Sequence, residues 1–168
     1  MARPLDPHRR AATLERAAEY VLAHGLAGLS LRPLAKALGT SPRMLLYDFE
    51  SKDRLIAEVL AEIRRREAAL LTAQPRSLEE IWQWIAAPER EPFLRLFFEV
   101  YVAALAAGDA EPLVRDWLDF IETSWTPAVD PPTATLLVAV VRGLLLDRLA
   151  TGDTQRTDDA LRRFATLV

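Results

Sequence analysis

An all-helical fold is predicted by three features of the sequence. Apolar residues recur at helical spacing in nearly every long segment, and Gly or Pro closes most of those segments. The stretch Ser30 to Lys52, SLRPLAKALGTSPRMLLYDFESK, reads as two short helices joined by a tight turn. The layout is an N-terminal three-helix head over residues 1–52 holding a helix-turn-helix, then a linker helix and a helical body within residues 53–168.

Met1 to Pro7 carries two prolines and Arg3 and reads as an arm. It is either simply solvated or, with Arg3, Arg9 and Arg10, within reach of phosphate or a minor groove. From His8 to His24, Leu14, Ala17, Ala18, Val21 and Leu22 share a helical face that Gly25 ends, and Leu26, Leu29 and Leu31 close the head's core. Ser30 is placed to cap the next helix, whose apolar face is Leu31, Leu34, Ala35 and Leu38. Pro33 is tolerated in its first turn, where a missing amide hydrogen breaks no internal bond. Gly39 follows the last apolar position, where a left-handed residue ends a helix. Ser41 then caps a second helix and Pro42 supplies a preset first residue. That helix runs to about Tyr47, with Arg43 and Met44 outward and Leu45 and Phe49 inward, which is the pattern of a DNA-reading device. Ser51 caps the linker helix, about Lys52 to Ala73, striped by Leu55, Ile56, Val59, Leu60, Ile63 and Leu70. Lys52 is badly placed for the helix dipole and well placed for a phosphate. Arg64, Arg65 and Arg66 read as a solvated face pairing with Glu62 and Glu67.

The body begins after a break at Gln74 to Arg76, with Ser77 and Glu80 as a capping box before Leu78, Ile81, Trp82 and Ile85. Pro88 and Pro92 bracket a charged turn, Glu89 to Glu91. Phe93 to Ala107 is apolar nearly all round, which predicts a central buried helix. Gly108 and Asp109 end it, and a helix from Ala110 to about Trp125 turns Leu113, Val114, Trp117, Ile121 and Trp125 inward. Thr126 to Pro132 holds three prolines and reads as non-helical. Thr133 to Ala150 is helical, with Thr135, Ala139 and Gly143 as small residues four apart. Gly152 to Thr157 reads as a turn before a last helix lined by Leu161, Phe164, Ala165 and Val168.

Composition narrows the function. The 168 residues are 51% apolar, and the longest notable apolar run, Ala134 to Val141, stops at Arg142, so no membrane span is expected. The N-terminus does not read as a secretory signal, and a cytoplasmic protein is expected. Without cysteine, with two distant histidines and with no Gly-rich phosphate loop, neither an enzyme, a metal site nor a cofactor is expected. Residues 1–56 hold nine Lys and Arg against six Asp and Glu, a net +3, while the remainder nets -6. A basic head on an acidic body fits polyanion binding by the head alone.

Ser30 to Lys52, with the preceding helix and with Phe49, Ser51, Lys52 and Leu55, resembles the DNA-binding domain of TetR-like (tetracycline-repressor family) bacterial transcription regulators, over about the first third of the chain. One departure stands out: the family's usual Leu-Tyr precedes the Phe by two more residues, whereas Tyr47 here sits one place later. The resemblance implies a DNA-binding set of Arg32, Thr40, Ser41, Arg43, Met44, Tyr47 and Lys52, with Arg43 reading a base edge and Thr40, Ser41, Tyr47 and Lys52 holding phosphates. It implies a body that senses a ligand, for which Trp82, Phe93, Phe97, Glu99, Tyr101, Trp117 and Ile121 are the candidates, Phe98 and Phe120 belonging to the same aromatic group. Core packing is the competing reading of those rings; Arg95 and Glu99, four apart on an apolar helix, favour a polar partner there. It implies that the last two helices pair with their symmetry mates in a four-helix bundle, through Leu136, Ala139, Val140, Gly143, Leu144, Asp147, Leu161 and Phe164. The expected function is repression by a homodimer on a palindromic double-stranded operator, with release by a largely apolar small molecule. The alternative is a helical interaction module that has lost DNA binding, because Asp48 and Glu50 put acid beside the second short helix.

Overall fold

The computed structural model describes residues 6–70, 77–124 and 129–167, the side chains of Phe120, Glu122, Thr123 and Ser124 excepted. Arg3, the break at Gln74 to Arg76, the inward Trp125 and Val168 therefore lie outside the described residues. Every regular element among the described residues is a helix, and none is long and apolar enough to cross a membrane. The chain divides into two compact units, Met1–Thr72 and Ala73–Val168.

In the first unit, α1 (Pro7–His24) starts at Asp6, whose carboxylate accepts from the His8 and Arg9 amides. Gly25 ends it at φ 72°. α2 (Leu31–Ala37) follows Ser30, which has the extended backbone of a cap but makes no side-chain capping bond. α3 (Pro42–Phe49) runs two residues beyond Tyr47, and α4 (Lys52–Leu70) begins where Ser51 Oγ accepts from the Arg54 amide. α1 packs on α2 and α4, and α3 on α2 and α4. The core they enclose is Ala17, Ala18, Val21, Leu34, Ala35, Leu38, Leu45, Phe49, Leu55, Val59 and Ile63. Leu26, Leu29 and Leu31 are only half-buried and form its rim.

In the second unit, α5 (Leu78–Ile85) starts at Ser77, whose Oγ accepts from the Glu80 amide at 3.1 Å. A 3₁₀ turn, Pro88–Arg90, leads into α6 (Glu91–Ala107), and Pro92 lies inside the first turn of that helix. α7 (Glu111–Ser124), α8 (Pro131–Thr151) and α9 (Thr154–Ala165) complete it. α8 contacts α6, α7 and α9, while α5 packs on α9.

Three expectations are corrected here. Pro131 and Pro132 are the first two residues of α8, because Asp130 caps the helix through the Thr133 amide and a first turn needs no amide hydrogen from them. Thr157 is helical and fully buried: α9 begins three residues earlier, at the Asp153 cap, and the Thr157 hydroxyl donates within the helix's first turn. α6 buries Leu94, Leu96 and Phe98 but exposes Val102 by 60% and Leu105 by 55%, so only its first half is central. An all-round apolar helix shows that much apolar surface is available, not that one chain covers it.

Glu62 is the most perturbed acid among the described residues. Hydrogen bonds from Arg65 and Arg66, at 2.8 to 2.9 Å on a side chain only 11% exposed, hold its carboxyl at about 2 against an ordinary 4.5. Between those values the unfolded chain binds the proton and the folded one does not, so this contribution is complete above about pH 4.5 and fades as pH falls toward about 2. Urea unfolding at pH 7, 4 and 3 should show Glu62→Gln losing less stability on acidification than the unaltered chain. Parallel losses would mean that these pairs do not bind the carboxylate form.

Candidate nucleic-acid interface

The turn between α2 and α3 is built by backbone geometry. Gly39 takes φ 66°, and the Thr40 amide reaches back to the Ala35 carbonyl at 2.9 Å, closing α2 as only a left-handed residue allows. Ser41 Oγ then accepts from the Met44 amide at 3.2 Å. Its hydroxyl proton is left to donate outward, as a phosphate contact requires.

α3 has two distinct faces. Leu45 and Phe49 are each 1% exposed and seat the helix in the core. Arg43, Leu46 and Tyr47, at i, i+3 and i+4, point away, Leu46 and Tyr47 at 41% and 40% exposure. Met44 and Thr40 are half-buried beside them, while Ser41, Arg32 and Lys52 are exposed. All seven predicted residues thus lie at least partly on the surface of one unit, six of them on α3 or close to its ends and Arg32 on α2. Leu46 is the residue that sequence reading missed: a Leu beside Leu45 reads as core by type, and only its spacing from Arg43 shows that it faces out. An apolar side chain there suits a thymine methyl group.

The charges sort themselves in the same way. Asp48 is turned inward with its side chain 2% exposed, paired to Arg9 at 2.7 Å, and Arg10 Nε donates to its backbone carbonyl at 2.9 Å. Arg10 also binds Glu58 through both carboxylate oxygens and lies over the Phe49 ring. Glu50 pairs with Arg54 at 2.6 Å. Arg9 and Arg10 are therefore occupied inside the unit rather than reaching outward, and Asp48 and Glu50 are neutralised. Among the described residues no carboxylate pairs with Arg32, Arg43 or Lys52. What α3 presents outward is net positive.

The predicted ligand residues divide between one core and the aromatic rings packed against it: Trp82 and Ile121 belong to the core, and Phe93, Phe97 and Trp117 lie against it. Phe97 contacts Tyr101, Phe98, Trp117 and Phe93, with centroids 5.3 to 6.5 Å apart, so α6 and α7 share a half-buried aromatic cluster. Arg142 of α8 donates to the Tyr101 hydroxyl at 3.2 Å. Ile121 is 4% exposed and belongs to the core. Trp82 belongs to the same core and also lines a cleft of about 400 Å³ with Pro88, Arg148 and Leu161, its indole N–H donating to Asp158 at 2.7 Å. Arg95 is exposed and pairs with Glu91 at 2.7 Å, one turn toward the N-terminus, so it supplies no buried charge, while Glu99 is half-buried. Of the proposed dimer residues, Ala139 and Gly143 are exposed and Leu136 is 48% exposed, with Val140, Leu144, Asp147 and Phe164 half-buried. Leu161, at 1%, faces the unit's own core.

The sequence model of the bacterial regulatory proteins of the tetR family matches residues 14–59, from the middle of α1 into α4. No curated protein matches the chain by sequence. Among solved structures, the chain is similar to a member of the TetR family from Streptomyces coelicolor A3, 27% identical with a TM-score of 0.69 over 95% of this chain and 99% of that one. It is also similar to the multidrug binding protein EbrR, solved with malachite green (25% identical, TM-score 0.67, 95% and 99% covered) and with imidazole (27%, 0.66, 95% and 91%).

Arg43→Ala tests the outward face. A loss of about 1 to 3 kcal/mol on a preferred DNA site, with far less on random DNA, is expected in mobility-shift titrations if Arg43 reads a base edge. Equal weakening on both would make it a phosphate contact only.

Proposed function

We propose that this chain, which belongs to the TetR family of bacterial transcriptional regulators, binds a palindromic operator as a homodimer, represses from it, and releases it when a largely apolar small molecule binds the body. The observation that carries the DNA reading is the division of charge around α3. Asp48 and Glu50 are paired with Arg9 and Arg54, while Arg32, Arg43 and Lys52 keep their charge for phosphate and base. The acid that favoured a module without DNA binding is thereby cancelled. Counterion release from those contacts supplies affinity, and Arg43 with Leu46 supplies preference.

Support for the dimer comes from α8. Leu136, Ala139, Val140 and Gly143 lie along one helical face, and Leu146 is 44% exposed one turn beyond. A side chain built on Gly143 would meet nothing within 4 Å of its own chain, so nothing inside the protomer calls for glycine there. Glycine in a helix interior costs about 1 kcal/mol against alanine, which a close approach by a second backbone offsets. The exposed Asp147–Arg156 pair, at 2.5 Å, links α8 to α9 beside that face.

The effector reading rests on the Phe97, Tyr101 and Trp117 rings, which offer a flat, half-buried apolar wall with the Tyr101 hydroxyl and Arg142 as polar handles. EbrR, which binds malachite green, makes a small molecule of that kind the natural expectation. Its binding would shift the population between two body conformations, only one of which holds both heads on DNA.

Gly143→Arg tests the assembly, since a long charged side chain on that face blocks close helix approach. Sedimentation should give a folded helical monomer that barely retards operator DNA, because two half-sites about one turn, roughly 34 Å, apart require two joined heads. A dimer with unchanged DNA binding would place the interface on another surface.

A further inference from the structure

The function just proposed requires α3 to be held at one angle, and the structure shows what holds it. α3 has eight residues, too few to be stable alone. It ends in an uncommon turn: Glu50 has φ 67° and ψ -49°, and the Ser51 amide donates to the Phe49 carbonyl at 2.7 Å across it. That is the rare form of the three-residue turn, and Glu50 is the one residue other than glycine with positive φ among the described residues. Such a conformation persists only where its surroundings over-determine it.

Besides the core contacts of Leu45 and Phe49, the surroundings here are ionic, from the exposed Glu50–Arg54 pair inward to the buried Asp48 carboxylate. Glu50 is bound by Arg54, which also approaches Glu58 at 3.7 Å; Glu58 holds Arg10, and Arg10 caps the C-terminal carbonyl of Asp48. Arg9 meets the buried Asp48 carboxylate from the other side. A positive charge on the last carbonyls of α3 complements the helix dipole. The buried carboxylate is harder to explain by stability, since burying an ion pair seldom outdoes an apolar residue in the same space. What a directional pair adds is a fixed orientation.

We infer that the chain of pairs Arg9–Asp48, Arg10–Glu58 and Arg54–Glu50 is a positioning device that sets the attitude of α3 and through it the sequence preference of the protein, without touching DNA. The inference rests on the DNA-reading function. The sign of one substitution separates it from simple electrostatics: removing a negative charge near DNA ought to tighten binding to any sequence, whereas loosening α3 ought to weaken only the preferred one.

The test uses the full chain, a DNA fragment that the unaltered protein recovers from a random pool, and a random fragment of equal length. Asp48→Asn is expected to weaken binding to the recovered fragment by about tenfold or more, with less than about threefold change on the random one. Arg9→Gln should match it, the double variant should be no worse than either, and the salt slope should stay constant. Asp48→Asn that tightens or leaves both fragments unchanged overturns the inference. So does Arg9→Gln that weakens both alike with a slope shallower by about one, the mark of a lost phosphate contact. Should circular dichroism show Asp48→Asn unfolded, Glu58→Gln, whose side chain is 25% exposed, replaces it. Weakening on the recovered fragment alone then supports the positioning role, and tightening or no change on both overturns it. If the unaltered protein holds both fragments equally, DNA reading itself fails, and the positioning role with it.

Discussion

The first unit is organised by the need to hold an eight-residue helix still while leaving one of its faces bare. Neither task is met by the helix itself. Nucleating a helix costs more than two turns of hydrogen bonds return, so α3 exists because Leu45 and Phe49 are buried and because Ser41 and Arg10 satisfy its two ends. The same arrangement turns Arg43, Leu46 and Tyr47 away from the core. Burial on one side and recognition on the other follow from one spacing.

Electrostatics completes the separation. A DNA-reading surface needs positive charge that its own chain does not quench, yet the sequence around α3 carries Asp48, Glu50 and Glu58. The structure resolves the conflict by pairing those acids with Arg9, Arg54 and Arg10, from α1 and the start of α4. These arginines act indirectly, by removing negative charge and by fixing direction. Arg32, Arg43 and Lys52 are then left to meet a polyanion.

Much of this is legible in the sequence because it follows from local chemistry. Gly39, Ser41 and Pro42 each have one good backbone role, and the helix-turn-helix can be read from them. Caps at Ser77 and Ser51 are legible for the same reason. What eludes the sequence depends on contacts distant in the chain. The Arg9–Asp48 pair joins residues 39 apart, so the sequence shows Arg9 only as a cation within reach of phosphate and Asp48 only as acid beside the second short helix. Trp82 and Asp158 are 76 apart, which is why the sequence shows Trp82 only as one of a group of aromatic rings and not as the partner of Asp158. Pro131 and Pro132 mislead for a different reason: proline breaks a helix in its interior and starts one at its first turn, and only the Asp130 cap tells which applies. Leu161 enters the interface set because the resemblance assigns the last two helices to a bundle without saying which face of each belongs to its own core.

If a pair of α3 helices, each held by its own core, reads two symmetric sequences, the DNA that the protein chooses must carry that symmetry. Selection of bound fragments from a random double-stranded pool by the unaltered protein, at moderate salt, measures this most directly. The expected result is an enriched inverted repeat whose half-site centres lie about one helical turn, roughly 34 Å, apart, with binding that falls steeply as salt rises. A pool that stays random through successive rounds, or that yields a single unrepeated site, would contradict it.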